Sequence, residues 1–326
     1  MLTTPRLVLQ KLVTPSFSSS EADQLRQALT HSPRTIPPQY FYNDRGSQLF
    51  EQICLQPEYY LTNTEINLLE IVAPQLTAYT GACELVELGS GSSRKTKIIL
   101  DAYHRKNLPL KYTPIDISSS ILELSADQLL HIYPNLEIHG IVATYEDALA
   151  HLPPTALSCR LLYFLGSSLG NLNPHQCHSF FTQVYAGLNP GDYFLLGVDL
   201  QKDTQVLEAA YNDRAGVTAE FNLNILIHLN QRFGANFNPS QFRHKAIYNS
   251  LDHQIEMYLE SLIQQDVYIQ GLDLTFTLQA GELILTEISR KFDTGQLTQD
   301  LTDRGFRPIK TWQDDRGWFG LILLQK

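Results

Sequence analysis

Three features of the sequence predict an α/β fold, with a mostly parallel sheet flanked by helices and a second lobe beside it. The first is a short apolar run, Leu85, Val86 and Leu88, that enters Gly89-Ser90-Gly91 and then a helical stretch carrying Ile98, Ile99 and Ala102. The second is the strand and helix alternation that continues from this turn to Asp199. The third is the loss of that alternation over residues 202 to about 275, with β pattern returning at Leu283 to Ile288 and at Phe319 to Leu324.

Taken in order, residues 1 to about 62 do not continue an alternating pattern. A polar helix is expected over Ser20 to Thr30, followed by the loop TIPPQYFYNDRGSQLFEQICLQPEYYLT. Tyr40, Phe41, Tyr42, Phe50, Tyr59 and Tyr60 crowd this loop, and Pro37, Pro38 and Pro57 favour a fixed, non-helical path. Such aromatics form either a satellite hydrophobic cluster or a lid over a pocket that handles a cation. Ile66, Leu68, Leu69, Val72 and Leu76 then recur at helical spacing from Thr64 to Tyr79. After the glycine turn a second strand, Lys111 to Ile115, ends in Asp116, and Ser118 starts the next helix. A third strand, Glu137 to Ala143, ends at Thr144-Tyr145, where an adenine ring belongs in this architecture. The fourth, Arg160 to Leu165, opens into a second glycine loop, Gly166 to Asn171, which should face the same crevice as the first. A helix over Pro174 to Leu188 and a strand over Tyr193 to Val198 complete the alternation, and the polar, helix-leaning stretch after residue 202 contains DRAGVTAEFNLNIL.

The glycine turn narrows the ligand. Positive φ and the missing Cβ let a ligand lie against bare backbone, while Ser92 or Ser93 can cap the helix that follows. A dinucleotide loop needs a third glycine where Arg94 stands, and a phosphate-cradling loop matches Gly89, Lys95 and Thr96 but fails at the same residue. The E-x-G-x-G loop of S-adenosylmethionine-dependent methyltransferases fits throughout, with Glu87, Gly89 and Gly91 bordering the ligand's amino acid end. Asp116, about 25 residues on, is placed to accept both hydroxyls of a ribose, and the same spacing would suit a cap for the next helix. A nucleotide-binding switch remains the alternative from a different class, with Lys95 and Thr96 at the phosphates and Asp199 as metal ligand.

Composition sets the remaining bounds. A chain of 326 residues can bury a sizeable core and allows two domains, and a formal charge of -10 opposes a nucleic-acid partner. The four cysteines, Cys54, Cys83, Cys159 and Cys177, lack metal-ligand spacing and read as reduced core residues, so no metal is expected. MLTTPRLVLQKLVT has no continuous apolar stretch of the kind that directs secretion, and no run approaches the roughly 20 apolar residues that span a bilayer. The expectation is a cytoplasmic monomer acting on a small molecule, without membrane insertion.

Several stretches together resemble the histidine-specific Nα-methyltransferases of ergothioneine biosynthesis: PPQYFYNDRGSQLFEQI, PEYYLTNTE, LVELGSGSSRKT, FLGSSLGNL, DLQKDTQVLEAAYNDRAGVTAEFN, IEMYLES, LTEISRKF and the WFGLIL ending. The resemblance runs across nearly the whole chain. It implies a class I methyltransferase with a Rossmann-like domain over residues 63–201 and 290–326, and a substrate-binding lobe over 1–62 and 202–289. It further implies three methylations of the α-amine of L-histidine by S-adenosylmethionine, giving hercynine. Tyr42, Gly89, Lys95 and Asp116 look like cofactor contacts, Asn171 and Tyr211 like the pair that holds the substrate carboxylate, and Tyr42 and Asn171 like the residues nearest the reacting amine. Tyr59, Glu287 and Ser289 would address the imidazole, with Met257 and Phe50 packing nearby. Without the resemblance, Glu287 and Ser289 read equally as plain strand alternation. One departure is Thr144 before Tyr145, where the family usually places an Asp that bonds the adenine amino group; Glu146 is the nearby substitute. A related possibility is another aromatic amino acid as substrate, which would need an apolar pocket where Glu287 stands.

Overall fold

The computed structural model describes residues 6–12, 19–91 and 93–326. Ser92, and the parts of the N-terminal stretch at residues 1–5 and 13–18, lie outside the described residues. The chain divides into two compact units, one comprising Asn63–Leu200 and Phe292–Lys326 together with the strand Leu7–Lys11, the other Pro15–Thr62 and Gln201–Lys291.

The first unit is built on an eight-stranded sheet. From one edge to the other its strands are Leu7–Lys11, Leu136–Val142, Leu110–Asp116, Glu84–Leu88, Arg160–Phe164, Tyr193–Asp199, Phe319–Gln325 and Arg307–Gln313. The first six pair in parallel and the last two run antiparallel, closing the chain as a hairpin against Tyr193–Asp199. Glu84–Leu88 and Arg160–Phe164 are buried at every position, as strands covered on both faces are, and their charged ends pair, Arg160 Nε with Glu84 Oε2 at 3.0 Å. Strand order reverses between these two neighbours, so the crevice of an open α/β sheet lies at their carboxyl ends, where Gly89 and Gly166 begin the two glycine loops. The strand Leu7–Lys11 corrects the expectation that residues 1–62 belong wholly to the lobe: it pairs in parallel with Leu136–Val142. Five residues at a sheet edge carry too few buried positions for a periodic signal.

The second unit holds a four-stranded sheet, in the order Arg34–Thr35, Leu283–Arg290, Gln254–Ser261, Phe242–Asn249, and a hairpin of Gln265–Ile269 with Leu274–Leu278. Helices Thr204–Tyr211 and Val217–Phe233 precede these strands. The region after residue 202 is therefore helical only as far as Phe233. Beyond it, the alternation in IEMYLES, with Ile255, Met257 and Leu259 buried, outweighs the polar composition that suggested helix. A second correction concerns YNDRGSQLFEQI, expected as a non-helical loop: Asp44–Ile53 is a helix. Asn43 caps it by accepting from Gly46 N at 2.8 Å, and a Cβ on Gly46 would fall 1.7 Å from the Phe41 carbonyl oxygen, so only glycine fits the first turn. Among the described residues no helix is long and apolar enough to cross a membrane, and all four cysteines are buried and none forms a disulfide.

Candidate active site

In the first unit the glycine loop is shaped by backbone. Gly89 and Gly91 take φ of +71° and +47°, the left-handed region that side chains disfavour. A Cβ on Gly89 would meet the Tyr145 hydroxyl at 2.7 Å, while one on Gly91 would meet nothing within 4 Å, so the second glycine opens its backbone outward. Asp116 ties the turn to the neighbouring strand: its Oδ2 accepts from Gly91 N at 3.2 Å and its Oδ1 from Ser118 N at 3.0 Å. Each oxygen keeps further acceptor capacity. Burial raises the Asp116 pKa, against the backbone N–H groups of Ser118, Gly91 and Ile117. Asp116 is not the helix cap, because Ser118 performs that task by accepting from Ile121 N. The hydroxyl of Ser90 is buried without a hydrogen-bond partner among the described residues.

Glu87 works from beneath the turn. Only 4 % exposed, its Oε2 accepts from Thr96 and Tyr112 at 2.5 Å each and from Tyr163 at 3.4 Å, which fixes the start of the helix Arg94–Arg105 to the strands below it. Burial pushes its carboxyl up to about 7, opposed by the Thr96 and Tyr112 hydroxyls and by Lys95. Ser93 precedes that helix in the left-handed region at φ 53° and makes no side-chain cap, so of the two serines expected to cap the helix Ser93 does not, and Ser92 lies outside the described residues.

Lys95 joins the two glycine loops through a residue that motif reading passed over. Its ammonium pairs with Glu65 Oε2 at 2.5 Å, and both Glu65 oxygens accept from Gly166 N, at 2.8 and 3.0 Å. Glu65 is buried, and a Cβ on Gly197 would come within 2.5 Å of its Oε1, so three segments of the first unit close around this carboxylate. Asn171 ends the short 3-10 turn Ser168–Asn171 that follows the second glycine loop. Thr144 turns out to cap the helix Tyr145–Ala150, accepting from Asp147 N at 3.3 Å and donating to Asp147 Oδ2, so its hydroxyl is committed locally. Tyr145 stands edge-on to Phe164, centroids 5.2 Å apart, with its pKa raised by burial and by the charges of Asp116, Glu146 and Glu87. Asp199 is buried at the end of its strand, where its backbone N–H donates to the Ser167 hydroxyl.

In the second unit a β-bulge decides which side chains face inward. Pairing between Leu283–Arg290 and Gln254–Ser261 shifts register between Leu285 and Glu287, leaving Thr286 as the extra residue. Before the bulge Ile284 lies opposite the buried Leu259; after it Glu287 lies opposite Met257 and Ser289 opposite Ile255, both buried. Cross-strand partners share a face. Regular alternation from Ile284 would have turned Ile288 inward; the bulge substitutes a carboxylate and a hydroxyl. Thr286 is held by its hydroxyl, whose one hydrogen is shared between Asn222 Oδ1 at 2.7 Å and the Met257 carbonyl at 3.0 Å.

Asn222 also donates to His244 Nδ1, whose Nε2 donates to the Tyr211 carbonyl at 2.9 Å; burial lowers the His244 pKa, in keeping with this neutral tautomer. The bulge and the end of helix Thr204–Tyr211 are thereby set by one network. Tyr211 Oη donates to Ser289 Oγ at 2.7 Å, and the ammonium of Lys291 donates to both oxygens, at 3.1 and 2.9 Å. An aromatic chain continues outward from there: Tyr211 to Tyr59 at 6.1 Å, Tyr59 to Phe50 at 6.5 Å, and Phe50 to Tyr42 at 6.1 Å, all edge to face. Burial raises the Tyr59 pKa, with Tyr211, Cys54, Glu287 and Tyr42 adding to it, which keeps its hydroxyl neutral. The six loop aromatics therefore divide. Tyr40 and Phe41 are core residues, Tyr60 packs under Lys202 at 4.6 Å, and Tyr59, Phe50 and the 48 % exposed Tyr42 run toward Tyr211.

The residues that sequence reading missed share a type. Glu65, Asn222, His244, Thr286 and Lys291 are polar groups that act through other side chains. A lone acid on an apolar helix and an asparagine among others carry no local pattern: Glu65 ends PEYYLTNTE, Asn222 ends DLQKDTQVLEAAYNDRAGVTAEFN, and Thr286 and Lys291 lie within LTEISRKF, yet nothing in those stretches tells their tasks.

A protein-family model for the histidine-specific, SAM-dependent methyltransferases matches residues 21–326. The chain belongs to that family. Histidine N-alpha-methyltransferase of Mycolicibacterium smegmatis is 39% identical over 312 residues, which cover 96% of this chain and 97% of that protein. Ergothioneine biosynthesis protein 1 of Neurospora crassa is 37% identical over 206 residues, 62% of this chain and 23% of the fungal protein. Among solved structures, the 1,6-didemethyltoxoflavin-N1-methyltransferase of Burkholderia thailandensis, with its substrate and S-adenosylhomocysteine bound, aligns at a TM-score of 0.45 and 12% identity, covering 91% of this chain and 93% of that one. This methyltransferase uses S-adenosylmethionine, and the first unit suits it: two glycines with positive φ, a buried serine hydroxyl with no partner among the described residues, and an aspartate with spare acceptor capacity at the next strand end.

Proposed function

We propose that this methyltransferase acts on the α-amine of free L-histidine, transferring three methyl groups in succession to give hercynine, a precursor of ergothioneine. The observation that carries the reading is the bulged strand in which Glu287 and Ser289 take the inner face with Met257. A ring with nitrogens on opposite edges asks for two polar partners, and an acid with a hydroxyl two residues on supplies them from one strand. An indole or phenyl ring would leave the Glu287 carboxylate unmatched, at a cost that disfavours it.

Roles follow by residue. In the first unit Gly89, Gly91, Lys95 and Asp116 serve the cofactor, with Glu87 supporting the turn from below and Tyr145 beside the adenine. Thr144 contributes through the helix it caps. In the second unit Tyr211 serves the substrate carboxylate, and Tyr59, Glu287 and Ser289 the imidazole. Bound S-adenosylmethionine supplies a methyl group on a sulfonium; what the protein adds is alignment of the amine with it. The amine, with a pKa of about 8, must lose a proton before each transfer, and solvent accepts it, directly or relayed by the Tyr42 hydroxyl. Tyr42, Phe50 and Tyr59 offer ring faces to the growing cation, at roughly 0.5 to 2 kcal/mol each. We place the reaction in the cytoplasm, in a monomer with no nucleic-acid or membrane partner. The test is incubation with S-adenosylmethionine and an equimolar mixture of amino acids: histidine should gain up to three methyl groups by mass spectrometry, and a methylated amino acid other than histidine would overturn the assignment.

A further inference from the structure

Lys291 is 3 % exposed, and nothing in the roles above requires a buried cation. Its position is defined on all sides. Its backbone N–H donates to the His253 carbonyl at 2.7 Å, its ammonium lies 4.9 Å from the centre of the Tyr211 ring, and it donates to Tyr211 Oη and Ser289 Oγ together. Titratable groups around it include Tyr211 from the preceding helix, Tyr248 from the strand Phe242–Asn249, whose hydroxyl feels the lysine's charge, and His253, whose carbonyl accepts from the lysine N–H and whose ring bonds the Tyr248 hydroxyl; Tyr59 in turn packs against Tyr211 and feels the charge of Glu287.

We infer that Lys291 is a positioning residue that fixes the polarity of the Ser289 hydroxyl and so selects the neutral imidazole, an inference that rests on the histidine reading above. An ammonium has donors only. Ser289 Oγ accepts from it and from Tyr211, which fills both lone pairs and leaves the serine hydrogen to point away from the cluster. If Tyr211 turns its hydrogen to a substrate carboxylate, Lys291 still occupies one Ser289 lone pair and the serine remains the donor. Ser289 then requires an unprotonated ring nitrogen, while Glu287 accepts from the other ring N–H. An imidazolium presents N–H on both sides, so it meets a donor at Ser289 and a second cation behind it. A lone serine beside Glu287 would have rotated and favoured the imidazolium. The lysine reverses that preference.

The experiment is titration of L-histidine into the protein saturated with S-adenosylhomocysteine, by calorimetry, from about pH 5 to 7, a range that crosses the imidazole pKa near 6.5 and keeps the α-amine mostly protonated. 3-(4-Thiazolyl)alanine, whose ring nitrogen accepts without titrating in this range, reports any titration of the protein itself. Histidine affinity relative to thiazolylalanine should fall about tenfold per pH unit below the imidazole pKa. In Lys291→Met that slope should flatten and histidine affinity at neutral pH drop roughly tenfold, with Lys291→Arg restoring the slope. Histidine binding that holds or strengthens as pH falls in the unmodified protein overturns the inference, and this measurement does not depend on either variant folding. An identical slope in Lys291→Met also overturns it. The histidine reading fails separately, if the unmodified protein methylates a different amino acid at neutral pH.

Discussion

In the first unit the groups we assign to the cofactor are backbone and strand ends that lie side by side in one sheet, whereas in the second those we assign to the substrate are side chains drawn from segments far apart in the chain. Gly89 and Gly91 follow one strand and Asp116 ends its neighbour, and hydrogen bonds from Gly91 N to Asp116 and from Gly89 N to the Ile115 carbonyl join them. Tyr59, Tyr211, Met257, Glu287, Ser289 and Lys291 come from a helix start, a helix end and two strands, and a bulge is needed before the last strand turns the right atoms inward. A backbone site tolerates changes in side chains but not in φ; a side-chain site is the reverse.

The largest effect that separates the two comes from giving Gly89 a side chain. Gly89→Val forces a β-branched residue to φ +71° and brings its Cβ to 2.7 Å from the Tyr145 hydroxyl. S-Adenosylhomocysteine affinity should drop by about 100-fold or more, consistent with a backbone strain of ~1–2 kcal/mol plus the displaced tyrosine. Calorimetry checks this, and affinity within a few fold of the unmodified protein would mean that the turn is not the cofactor's seat.

This contrast also explains what could be read in advance. The α/β sheet, the glycine turn and Asp116 were legible because chemistry and local pattern coincide there: apolar run, positive-φ glycines, acid at the next strand end. Glu287 and Ser289 were legible only through resemblance, since two polar residues at strand spacing look the same on either face until the Thr286 bulge assigns the face. The helix Asp44–Ile53 was hidden by flanking prolines, although Asn43 and Gly46 spell its first turn. Lys95 stands out beside the glycine turn, in the first turn of the helix Arg94–Arg105, but its partner Glu65 sits on a helix recognisable by its apolar positions alone.

A smaller effect sharpens the account of the first unit. Glu87 has its carboxyl raised from about 4.5 to about 7, so the folded protein binds this proton more tightly than the unfolded chain does. Its stabilising contribution is complete below about pH 4.5 and is lost as pH rises through about 7, a span of up to ~3 kcal/mol. Glu87→Gln removes that dependence. Thermal unfolding of the two proteins from about pH 5 to 8 should show the variant gaining a few degrees on the unmodified protein as pH rises; parallel curves would mean that Glu87 is ionised at both ends of the range.

The most direct measurement of the central claim, that a bulged strand in the second unit recognises the imidazole, is a pair of titrations on Glu287→Ala. Histidine affinity in the presence of S-adenosylhomocysteine should fall about 30-fold or more, and affinity for S-adenosylhomocysteine alone should stay within about twofold. Equal losses of both ligands, or histidine binding that survives the substitution, would contradict it.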